Sequence, residues 1–151
     1  MKSECMWRRL IGRMAGGCKF NSPASEQKIA AAEISLGASL PGALRELLLE
    51  TNGVSAGGDA ELIWSVEQIR DTNRAFRDNE YFKKLHLPFD NLLFFGCEGN
   101  GNQFAFVIPD LKITRPDIFC WEHETDSRSR VAASLEKYIE MRFRGDALKL
   151  R

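Results

Sequence analysis

The sequence predicts an α+β domain whose helices pack on one face of a mostly antiparallel sheet. Three observations lead there. Apolar residues recur at helical spacing through the first half, aromatic-rich runs separated by an Asn-Gly turn follow in the last third, and an amphipathic segment closes the chain. Helices, then a meander of strands, then a helix is the order of an α+β layer architecture. The length of 151 residues suits one domain, and no linker, repeat or low-complexity segment divides it. The expected organisation over 1–151 is an N-terminal helix within 1–20, a helical hairpin over 22–53, strands with an inserted helix over 61–122, and a closing helix over 129–144.

Each element has a local cause. Met6, Trp7, Leu10, Ile11 and Met14 follow the helical period, leaving Arg8, Arg9 and Arg13 largely on other faces, and Ala15-Gly16-Gly17 ends the helix. Ser25 suits an N-cap, with Glu26 in the first turn, Ile29, Ala32, Glu33 and Leu36 on the helical period, and Gly37 as the stop. Pro41 suits the first position of a third helix with Leu44, Leu47 and Leu48 as its stripe, closed by Asn52-Gly53. Glu61 to Trp64 forms a short strand, and Ser65 with Gln68 forms a capping box for a helix bearing Ile69, Asn73 and Phe76. That helix frays near Asp78, and Tyr81, Phe82 and Leu85 add a helical turn that stops before Pro88. Leu92–Cys97 and Gln103–Ile108 flank Glu98-Gly99-Asn100-Gly101-Asn102 as a hairpin, and Ile118–Trp121 is the next strand. Val131, Leu135, Tyr138, Ile139 and Arg142 mark the closing helix.

Composition narrows the function. Apolar residues at 44% and charged residues at 28% are those of a globular chain, not a disordered one. Twenty-one basic and twenty-one acidic residues cancel, so the basic excess of a nucleic-acid binder is missing and no direct nucleic-acid partner is expected. Arginines interrupt the apolar residues of the first helix, unlike a signal peptide, and no run approaches the ~20 apolar residues of a membrane span. A cytoplasmic protein without membrane attachment is the expectation, and a monomer rather than an oligomer.

The motifs that carry chemistry are thin. Gly96, Gly99 and Gly101 lie between two strands, whereas a phosphate cradle opens a helix, and Glu98 repels an anion there. Cys120 and His123 have CxxH spacing, but His86 is the only other histidine and no second pair completes a metal site. Cys5, Cys18, Cys97 and Cys120 are scattered; Cys97 and Cys120 fit reduced, buried hydrophobes. A cysteine–histidine nucleophile has no local signature. No catalytic residue, cofactor or metal is therefore expected. Glu122, Glu124 and Asp126, with Glu98 and Asn100 from the neighbouring turn if the strands align, are candidates for an acidic binding face at one sheet edge, diluted by Arg128 and Arg130, a solvated loop being the alternative. Trp64, Tyr81 and Trp121 are the aromatic candidates for an interface, with a buried core role as the commoner alternative.

Pro23-Ala24-Ser25-Glu26, Ile29, Glu33, Leu36-Gly37, Leu40-Pro41, Leu44, Leu47-Leu48 and Asn52-Gly53 together resemble the opening of the SUKH (SMI1/KNR4-like) superfamily. Phe95-Gly96, the Gly99-Asn100-Gly101 turn followed by Phe104, and Ala132, Ser134, Leu135 and Ile139 extend the resemblance, as does Trp7 in the first helix. Its members include bacterial toxin-immunity proteins and a fungal regulator of cell-wall synthesis. The resemblance implies a non-catalytic protein-binding domain, most simply an immunity protein whose partner is a cognate toxin of the nuclease or deaminase class. A regulatory or scaffolding domain is the alternative, and a small metal- or cysteine-dependent enzyme a more distant one. The shared residues are caps, turns and core positions, so no partner-binding residue carries over from the resemblance.

Overall fold

The computed structural model describes residues 6–14, 18–55, 61–85, 89, 91–98, 101–108 and 115–144. Among them run α1 (Met6–Met14), β1 (Lys19–Phe20), α2 (Glu26–Leu36), α3 (Gly42–Glu50), β2 (Val54–Ser55), β3 (Glu61–Ile63), α4 (Val66–Asp78), α5 (Glu80–Leu85), β4 (Leu92–Cys97), β5 (Gln103–Val107), β6 (Ile118–Glu122), β7 (Ser127–Ala132) and α6 (Leu135–Arg144). The strands form one seven-stranded antiparallel sheet in chain order, β1 to β7. The fold is α+β, as the segment order predicts.

Helix starts and stops follow from single residues. Ser25 lies in the extended region and its hydroxyl accepts the Lys28 N–H, so it caps α2. Gly37 ends α2 at φ 67°, where a Cβ would be strained. Ser65 caps α4 by accepting the Gln68 N–H. Pro41 sits at the N-cap of α3, one residue before the helix, and its carbonyl accepts the Arg45 N–H. Asn52 does something the sequence does not announce. Helix α3 already ends at Glu50, with Thr51 extended, and the Asn52 side chain instead accepts the Val66 N–H and donates to Glu67, capping α4 from a distance. That hydrogen bond, ahead of the nearby Lys28 ammonium, holds the Glu67 carboxyl below its usual range.

Two glycines give opposite expectations. Gly37→Ala should cost about 1 kcal/mol, because alanine pays for the left-handed backbone. Gly42→Ala should stabilise by about 0.5 kcal/mol, since its Cβ would open onto empty space at ordinary helical angles. Urea titration of both variants checks the signs.

The core joins helices to sheet. Trp7 and Ile11 of α1, Ile29 of α2, and Leu44, Leu47 and Leu48 of α3 are buried with Leu93, Phe94, Phe95, Phe104 and Phe106 of the sheet. Arg8, expected on an outer face of α1, is fastened: its guanidinium donates to the Glu50 and Asn21 carbonyls. Strand alternation sorts the aromatic residues. Phe95, Phe104 and Phe106 face the helical layer, where Tyr138 of α6 packs on Phe95 and Phe104 with ring centroids 5.0 Å away. Phe94 and Trp121 face the other way, into a cluster with Phe76 and Phe89.

Strand β3 covers only part of the β4 edge. It pairs Glu61 with Cys97, and the Trp64 N–H reaches the Phe95 carbonyl. Beyond that point α4 takes over. Asn73 Oδ1 accepts the Phe94 N–H at 2.8 Å and its Nδ2 donates to the Phe94 carbonyl at 2.9 Å, as a neighbouring strand would. Arg77 continues the row by donating to the Leu92 carbonyl, and its other nitrogen donates to the Leu36 carbonyl at the end of α2.

Three elements depart from the sequence expectation. β1 and β2 are two residues each, too short to show a period. β7 occupies 127–132, so Val131 lies in a strand and the closing helix begins at Leu135 rather than at Ser129. Its sequence, Ser-Arg-Ser-Arg-Val-Ala, is polar because it is the outer strand of the sheet. The turn Ala15-Gly16-Gly17 lies outside the described residues.

A candidate binding face at the hairpin end of the sheet

Antiparallel order places the β4–β5 and β6–β7 turns at the same end of the sheet. Asn102 ties them together. Its Oδ1 accepts the His123 N–H at 3.2 Å and lies 2.9 Å from His123 Nδ1, while its Nδ2 donates to Glu98 Oε1 at 3.5 Å. The Glu98 N–H in turn donates to the Asn102 carbonyl. Gly101 makes the approach possible. Its φ is 102°, and a Cβ there would lie 2.6–2.9 Å from the His123 ring, so the imidazole rests directly on the glycine.

The acidic residues of this end have unequal roles. Glu124 is exposed and Glu122, opposite Ser127 in the register, is half-buried. Glu98 is half-buried beside Asn102. Asp126, the third residue of the expected acidic face, is engaged within the fold. It sits at φ 59°, accepts the Trp121 indole N–H at 2.7 Å and pairs with Arg128 at 3.0 Å. It therefore locks the β6–β7 turn, with its charge met by arginine, and Arg128 lies over the Phe89 ring. Asn100 lies outside the described residues.

The aromatic candidates are also redistributed. Trp64 is 3% exposed and Trp121 is 3% exposed, so both are core residues and neither offers its ring to a partner. The Tyr81 side chain lies outside the described residues. Cys120 is buried in β6 while His123 belongs to the exposed turn, and no group of three metal-ligating side chains gathers among the described residues. His86 and Cys5 lie outside them. Cys18, Cys97 and Cys120 are not in disulfides; Cys97 is half-buried rather than fully buried. Burial raises the Cys18 thiol pKa, away from the reactive thiolate.

Sequence reasoning missed Asn102 and His123 as a unit. The Asn-Gly-Asn run signals a turn, but nothing in it says that the second asparagine reaches across to another hairpin. Behind the face, Tyr138 donates to the Leu62 carbonyl at 2.8 Å, and Arg142 bonds the Tyr138 hydroxyl and the Cys97 carbonyl while lying over the Phe104 ring. Burial drives the Tyr138 phenol well above its usual pKa, against the pull of Arg142, so the hydroxyl stays a donor. These bonds join β3, β4 and α6 beneath the turns.

The molecule thus falls in the class of α+β domains with a meandering antiparallel sheet and a helical layer. More narrowly, the chain belongs to the SUKH_6 family: the family model described as SMI1-KNR4 cell-wall matches residues 26–139, from the first turn of α2 into α6. No curated protein matches the chain. Among the described residues no helix is long and apolar enough to cross a membrane.

Proposed function

We propose that this chain is an immunity protein, a single non-catalytic binding domain over 1–151 that neutralises a cognate protein toxin in the cytoplasm. Membership of the SUKH family carries the reading. The hairpin end supports it with a preorganised surface, since the Glu98–Asn102–His123 contacts hold the two turns together before a partner arrives. Glu98, Glu122 and Glu124 suit a basic partner such as a nuclease or nucleic-acid deaminase, with Asn100 on the same turn; binding there covers the toxin's substrate path.

The test is co-expression with the product of the adjacent gene, size-exclusion chromatography and a growth assay. Co-elution with rescue of growth is expected; separate peaks without rescue reject that neighbour as the toxin. Once a toxin is in hand, Glu122→Lys/Glu124→Lys should slow association about tenfold or more at low salt, with a smaller change in dissociation. Stopped-flow kinetics at two ionic strengths reads this directly, and unchanged association removes the acidic face from the interface.

A second reading, a regulatory or scaffolding domain, is favoured by the cell-wall description of the matching family. It predicts a stable complex with a cell-wall or signalling protein and no rescue from any neighbouring toxin.

A further inference from the structure

We draw no further inference here: the strongest candidate, the basic outer flank of α1 where Met6, Arg9 and Arg13 are exposed, carries nothing because the structure does not show what covers it.

Discussion

Gly96→Ala should destabilise the fold by about 3 kcal/mol, the upper part of what overpacking costs. A Cβ at Gly96 would overlap the Leu62 carbonyl oxygen and come within 3.1 Å of the Tyr138 hydroxyl and 3.2 Å of the Glu61 carbonyl. Two of these three neighbours are backbone of β3, which cannot turn aside as a side chain can. The third belongs to a fully buried tyrosine held by Leu62 and Arg142. The sheet is also irregular here, with a register shift between Phe94 and Gly96 that sends both Phe95 and Gly96 towards the helical layer. Glycine is therefore required by close approach, not by an unusual φ. Denaturant unfolding of Gly96→Ala, Tyr138→Phe and the double variant separates the causes. If the hydroxyl were the obstacle, Tyr138→Phe would relieve the alanine; the β3 backbone predicts that it does not. Full relief in the double variant would show that the Tyr138 contact dominates.

That glycine illustrates what was legible in the sequence. Elements set by local chemistry could be read directly: Ser25 and Ser65 cap the helices expected of them, Gly37 stops α2, and β4 and β5 pair as the expected hairpin. Function-bearing detail depended on long-range partners. Asp126 and Glu124 are indistinguishable in a string of charged residues, yet one is bound by Trp121 and Arg128 and the other is exposed. Trp64 and Trp121 flank polar residues and left a core and an interface role open, and the fold buries both rings. β7 is hidden because an outer strand carries arginines where an inner one carries aliphatics, removing the apolar signal by which strands are recognised.

Asn73→Ala should cost about 3 kcal/mol, from a residue that looks like an ordinary polar position in an amphipathic helix. Asn73 is 1% exposed, and its amide serves three backbone groups: the Phe94 N–H, the Phe94 carbonyl and the Ile69 carbonyl. Alanine leaves both Phe94 groups buried without partners, each costing ~1–3 kcal/mol. Asn73→Asp separates hydrogen bonding from shape. It retains an acceptor for the Phe94 N–H but sets a carboxylate oxygen against the Phe94 carbonyl, so it should be no better than alanine near neutral pH. Protonation of that carboxylate would return a donor, so Asn73→Asp should gain stability relative to wild type as the pH is lowered. The edge supplies a second readout. Asn73 and Arg77 stand where β3 has ended, and they occupy backbone groups of β4 that would otherwise recruit another strand. Light scattering during mild heating should show Asn73→Ala aggregating earlier than a core variant of equal stability, such as a truncation at Leu47. Equal aggregation at matched stability would mean that the asparagine serves only to satisfy Phe94, and that the sheet edge is guarded by the bulk of α4.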